Sequence, residues 1–324
     1  MRIGYGKHSR CLERLLSNLN LEIKTESRMK SSYLLFVVST LAFGAIPVST
    51  PSQGPVSSSR GRPVGQPGAV IVLKNDCALA PIPLRVVHHH GQSAAPHIRN
   101  RNGTSSNWGG YAVETSFASP RNKVVSAVQG SWTIPTVSRS TSSQTYSSLW
   151  VGIDGYSDGT VEQIGTEQDW TPSGQQNYVW FEMYPHGAYE IVGFPIAAGD
   201  NFGAGVVYLS GGTFMLSITN VTKGVYYTVP PHYTRSKNAL RSSAEWIVEA
   251  PYSGGVLPLA DFGTASFSHC VATINGTTGP IDDTSYWQDD PITMQTSSGV
   301  VKAGPPSGVN GTTSSAFSIQ WHHE

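Results

Sequence analysis

The sequence predicts an all-β fold, a sandwich or barrel of short strands, and three observations carry that prediction. Charged residues are only 13 % of the 324, about half the usual share, while Gly, Ser, Thr and aromatic residues are abundant, a mix that suits strands and turns better than helices. After Ser105 the chain breaks into short alternating runs bounded by Gly, Ser, Asn and Pro, over residues 124–134, 148–153, 178–184, 206–209, 213–219, 225–229, 244–249 and 265–272; such spacing is the mark of a packed β architecture. No glycine-rich strand-to-helix turn is present, which argues against a nucleotide-binding α/β fold. With 39 % hydrophobic and 10 % aromatic residues, the chain has the material for a sizeable core.

Ahead of these runs lie segments of other kinds. Arg28, Met29 and Lys30 precede an apolar stretch over 33–45, the charged and apolar regions of a secretory signal. At about 13 to 16 residues it is shorter than the ~20 needed to cross a bilayer, so a cleaved signal peptide over 29–50 is expected, not a stable membrane anchor. Met29 is then the expected start, with 1–28 an upstream extension. Residues 51–104 turn to Pro, Ser, Gly, Arg and His and read as a pro-segment or linker; the run His88-His89-His90 reads as solvated. The folded domain is expected over 105–324.

A formal net charge of zero conceals a division. Residues 1–103 carry 13 Lys+Arg against 4 Asp+Glu, net +9, and residues 104–324 carry 8 against 17, net −9. The basic residues are scattered and not interleaved with aromatics, so they point to a pro-segment that pairs with the acidic domain as an intramolecular inhibitor, not to nucleic acid. Cys11, Cys77 and Cys270 make neither a disulfide framework nor a paired-cysteine zinc site, and Cys270 reads as a packed strand residue. His-Glu-x-x-His and Gly-x-Ser-x-Gly are both absent, which disfavours metal-dependent and serine peptidases. Asp261-Phe262-Gly263 stands without the other kinase motifs. No metal or other cofactor is expected, and the chain is expected to act as a secreted monomer.

Two runs hold chemistry. With a period of two, Ala244, Trp246 and Val248 share one face and Glu245, Ile247 and Glu249 the other; likewise Val179, Phe181 and Met183 oppose Tyr178, Trp180, Glu182 and Tyr184. A sheet face with carboxylates and aromatics suits a substrate groove. It suits equally a solvated outer face, a sugar-stacking surface, or a glycosidase using Glu182 and Glu245.

Six stretches narrow this choice. Ser106-Asn107-Trp108-Gly109-Gly110, Trp150-Val151-Gly152-Ile153-Asp154-Gly155, Gln163-Ile164-Gly165, Trp180-Phe181-Glu182-Met183-Tyr184-Pro185, Ala244-Glu245-Trp246-Ile247-Val248-Glu249 and Ala260-Asp261-Phe262-Gly263 resemble the eqolisins, the glutamic peptidases, in order and approximate spacing. The resemblance implies two packed antiparallel sheets of lectin type and cleavage of proteins at acid pH by a Glu and Gln pair. By motif position these are Glu245 and Gln163, and Trp108, Trp150, Asp154, Glu182 and Tyr184 match positions that line or shape the family's substrate groove. Glu167 stands where the family carries Asp. The chemistry is coherent: a carboxylate can take a proton from attacking water and return it to the leaving amine, while an amide NH2 can donate to the developing oxyanion. Protein and peptide substrates follow. Asn102, Asn220, Asn275 and Asn310 begin Asn-x-Ser/Thr patterns, acceptors where the source organism glycosylates exported proteins.

Overall fold

The structure, a computed structural model, describes residues 72–74, 76–82 and 103–324. The expected upstream extension, the signal peptide, the histidine run at 88–90 and Asn102 lie outside the described residues. Among the described residues there are strands and no helix. In chain order the strands are β1 (Val72–Leu73), β2 (Ala78–Pro81), β3 (Thr104–Ser105), β4 (Trp108–Glu114), β5 (Val125–Thr133) and β6 (Ser148–Ile153). There follow β7 (Val161–Thr171), β8 (Gly174–Tyr184), β9 (Tyr189–Val192), β10 (Asn201–Ser210), β11 (Thr213–Asn220) and β12 (Val225–Thr228). The last are β13 (Ser243–Glu249), β14 (Thr264–Ile274), β15 (Thr277–Pro280), β16 (Gln288–Gln295), β17 (Val301–Ala303) and β18 (Ser315–Gln320).

They form two sheets. The smaller runs β1-β12-β11-β10-β5-β14-β15 with β18 also on β14; the broader runs β17-β16-β4-β13-β6-β7-β8-β9-β2 with β3 on β16. The expected sandwich is therefore the observed one. Its core comes from the alternation seen in the sequence: Val179, Phe181, Met183, Ala244, Trp246 and Val248 of the broad sheet meet Val128, Trp132, Phe202, Leu216 and Phe267 of the other. Each of the buried Val, Leu, Phe and Met side chains among them contributes on the order of 1.5–3 kcal/mol relative to exposure. Trp246 also ties the layers by donating its indole N–H to the Gln129 carbonyl at 2.7 Å. Gly130 makes room for that ring, since a Cβ there would stand 2.8 Å from Trp246 Cδ1.

Two strands come from the segment ahead of Ser105. β1 pairs in parallel with β12 at the edge of one sheet, and β2 pairs antiparallel with β9 at the edge of the other. Leu79 turns into the inter-sheet core and Cys77 packs against it. Apolar residues in a Pro-rich stretch read as linker until an open sheet edge offers their backbone a partner.

Candidate active site

β13 is a central strand, so all seven of its residues are buried, and its polar alternate residues are carried on the face turned away from the core. The register decides what they meet. Glu245 aligns with Gly152 on β6 and with Ala112 on β4. Gly152 aligns with Gln163 on β7, Gln163 with Glu182 on β8, and Ala112 with Asp290 on β16. One row thus crosses six strands as Asp290, Ala112, Glu245, Gly152, Gln163, Glu182. At ~4.8 Å per strand, the Glu245 and Gln163 backbones stand about 10 Å apart, with a glycine between them. A Cβ on Gly152 would lie 2.9 Å from the Trp150 ring and 3.2 Å from Gln163 Cβ, so this position keeps the space between acid and amide open.

Glu182 orients the amide. Gln163 Nε2 donates to Glu182 Oε2 at 2.8 Å, and because an ionised carboxylate only accepts, the bond fixes which end of the amide carries the NH2. At the other end of the row, buried Asp290 accepts from the Tyr156 hydroxyl at 2.8 Å and from the Gly103 backbone N–H at 3.0 Å.

Aromatic residues floor the same face: Trp108, Trp150, Trp180 and Tyr156 with Val161, Ile247 and Ile292 form a second apolar cluster, against which Tyr178 and Tyr184 pack. Trp108 and Trp150 meet edge to face, centroids 5.0 Å apart. Trp150 Nε1 donates to Glu249 Oε2 at 2.8 Å and Asn107 Nδ2 to Glu249 Oε1 at 3.1 Å. Asp154 sits differently from the other expected groove residues. It holds a left-handed conformation, φ 70°, tolerable for Asp, and its carboxylate accepts from the backbone N–H groups of Arg241 at 2.6 Å and Ser242 at 2.7 Å. Its work is to pin the entry into β13, one residue ahead of Ser243.

The electrostatics of this face favour protons. Glu245 is fully buried, and that burial is the main force holding its carboxyl well above the usual range; Ser243 opposes the shift, and the charges of Asp154, Asp158 and Glu114 add to it. Burial likewise raises Glu249 despite its indole donors, and raises Glu167, which Asp169 pushes further. Glu114, bonded by the Ser157 hydroxyl, is pushed up to about 7 by burial. Among the described residues no cluster of His, Cys, Asp and Glu suits a metal.

Several members of the face escaped the sequence reading. Asp290 lies in Gln288-Asp289-Asp290-Pro291, whose acids and proline read as loop, yet β16 pairs there with β4. Gln163 was found by its motif alone, because β7 alternates polar residues on both faces. Glu167, at the family's Asp position, shares that strand's groove side with Gln163 and Glu182's partner row. Cys270 is as expected: buried in β14, its thiol raised by burial, and far from the row in the other sheet. Cys270→Ser is expected to leave turnover within about twofold while costing some stability, roughly 1–3 kcal/mol for a buried hydroxyl; parallel kinetics and melts check this. Asn220 is fully buried with its amide bonded to Pro195 and Asp200, so of the described sequons only exposed Asn275 and Asn310 are open to modification.

The sandwich and this carboxyl-rich aromatic face belong to a class, the β-sandwich hydrolases. Residues 106–310 match the Peptidase A4 family. The chain is 31 % identical over 217 residues to aspergillopepsin-2 of Aspergillus niger, covering 60 % of this chain and 74 % of that one. Two structures of scytalido-glutamic peptidase bound to transition-state analogues share the fold at 22 % identity, with TM-scores of 0.52 and 0.51, over 67 % of this chain and 98 % of theirs. This chain belongs to the Peptidase A4 family, the eqolisins, and is a glutamic endopeptidase.

Proposed function

We propose that the chain is a secreted acid endopeptidase in which Glu245 is the general acid and base and Gln163 the oxyanion donor. The observation that carries this reading is the row itself, an acid and an amide separated by one glycine-bearing strand, with Glu182 aiming the amide. Water entering the opened site relieves the burial that favours protonated Glu245; in its ionised form Glu245 takes a proton from the water that attacks the scissile carbonyl, while Gln163 Nε2 donates to the oxygen that gains charge. The proton that Glu245 accepts then passes to the leaving amine, and the C–N bond breaks. Trp108, Trp150 and Tyr184 line the substrate face, Glu182 positions Gln163, and Asp154 positions β13.

The glycosidase alternative loses ground on two counts. Glu182 is engaged with Gln163, and it stands three strands from Glu245, about 14 Å, beyond the ~5–9.5 Å of paired glycosidic carboxyls. An assay of acid-denatured protein beside polysaccharide, from pH 2 to 8, tests the proposal. Hydrolysis of protein confined to acid is expected, and cleavage of polysaccharide alone would overturn it.

The signal-like stretch at 33–45 supports export, and the opposed charges support a precursor held silent by its own leader, acting as a monomer. At neutral pH the pro-segment over 51–103, with 6 Lys+Arg against 1 Asp+Glu and so a formal +5, is attracted to a domain of formal charge −9. As pH falls toward ~4 the carboxylates protonate while Arg and Lys stay charged, and attraction weakens. His88, His89 and His90 gain charge near pH 6.5, so release belongs to the lower window. Self-cleavage between Arg99 and Ser106 is expected there. Stepping the precursor through pH and mapping the new N-terminus by mass spectrometry checks it; equal processing at pH 7, or processing by the purified Glu245→Gln chain, would refute it.

A further inference from the structure

The row of the active face does not end at Glu182. β8 and β9 pair Phe181 with Tyr189, and β9 and β2 pair Tyr189 with Pro81. Continued by one residue, these registers would bring Glu182, Ala188 and Ile82 into line, and Ile82 N donates to the Ala188 carbonyl at 2.9 Å. Ile82 therefore occupies the far end of the row that contains Gln163 and Glu245. Side-chain alternation along β2 sends Leu79 to the inter-sheet core, while Ile82 packs against the aromatic cluster of the active face. The strand ahead of Ile82 thus adds to the β9 edge, the mode by which extended peptides are recognised at sheet edges.

Resting on the peptidase reading above, we propose that the β9 edge and the apolar site beside it form a remote substrate subsite for an aliphatic side chain, which Ile82 fills in the precursor. From β2 to β6, over which the bond would lie, is four strand spacings, about 19 Å; at ~3.3 Å per extended residue this is some five or six residues from the bond. Substrates long enough to reach it gain binding that short peptides lack, and the backbone bond to Ala188 asks for an N–H at that residue.

Binding is separated from catalysis by working first in the full chain carrying Glu245→Gln. Adding Ile82→Asp vacates the subsite, and acrylamide is expected to quench the fluorescence of the tryptophans in the cluster more strongly. The free acetylated peptide Ala78–Ile82 should then restore protection, and the same peptide with Asp, or with N-methyl-isoleucine, in place of its isoleucine should be at least about tenfold weaker. Ile82→Ala provides the same comparison with a milder change should the aspartate chain fail to fold. Equal protection by all three peptides, or by none, overturns the subsite whether or not the chain hydrolyses peptides. In the chain with Glu245 intact and Ile82→Asp, substrates with Ile five or six residues from the bond, placed on each side in turn, should on one side exceed their Asp counterparts in kcat/KM by about tenfold. Absent hydrolysis alongside isoleucine-dependent binding would strike at the peptidase mechanism and leave the subsite standing.

Discussion

Replacing Glu245 by Gln is expected to remove measurable peptidase activity while leaving the fold intact. General acid–base catalysis by a positioned carboxyl is worth about 10²–10⁴ in rate, and an amide at that place can neither take nor return a proton. The stability argument runs the other way. Burial raises the Glu245 carboxyl and so favours its protonated form in acid, and a protonated carboxyl is nearly the shape and polarity of the amide that replaces it. A melt of the variant at pH 4 should therefore match the parent within about 0.5 kcal/mol. Gln163→Ala should lower kcat by roughly a hundredfold or more, the usual loss for an oxyanion donor, with a smaller change in KM. Near-parental turnover in either variant would remove that residue from the chemistry. An inactive variant that also melts early would leave only a structural role.

The protein is expected to be most stable in mild acid and to lose stability as pH rises to neutrality. Buried Glu114, Glu162, Glu167, Glu245 and Glu249 all have folded-state values raised above the ordinary carboxylate range, burial being the largest cause in each. A raised carboxyl binds its proton more tightly folded than unfolded. Its stabilisation is complete below about pH 4.5 and is lost as pH climbs through the folded value. For Glu114, raised from 4.5 to about 7, the difference is on the order of 3 kcal/mol, enough to lower Tm by about 10 °C in a domain of this size. Asp200, lowered by Lys223 and Asn220 against its desolvation, and Glu324, lowered by Ser140 and Ser142, oppose the trend only in stronger acid. Lys302, lowered by burial to about 8, favours folding only as pH rises above that value. Calorimetry from pH 3 to 9 checks the sign, and a Tm that rises from pH 4.5 to 7.5 would contradict it.

Strands at 148–153, 178–184 and 244–249 were legible because one of their faces is consistently apolar, and that alternation assigned Glu245 and Glu182 to the side away from the core. β7 was not legible, since Glu162, Gln163, Glu167 and Gln168 alternate polar with polar; it is buried because it lies in mid-sheet, not because its residues are apolar. β4 was hidden by Gly109-Gly110, which reads as a turn, although Gly110 with φ 141° lies where any Cβ would strike the Trp246 carbonyl at 2.1 Å. The strands at 72–73 and 78–81 depend on sheet edges supplied by residues more than a hundred positions away.

By itself, the sequence determined the fold class, the face on which each strongly alternating strand presents its acids, and the order of motifs that marks the family, because these depend on local period and residue type. Tertiary structure alone decided that Glu245, Gly152, Gln163, Glu182 and Asp290 stand in one row with Ile82 at its continuation, and that burial raises the Glu245 carboxyl. Both follow from the register between strands distant in the chain. A shift of one residue would send every side chain to the opposite face, and only the packing of the whole sandwich selects the register that occurs.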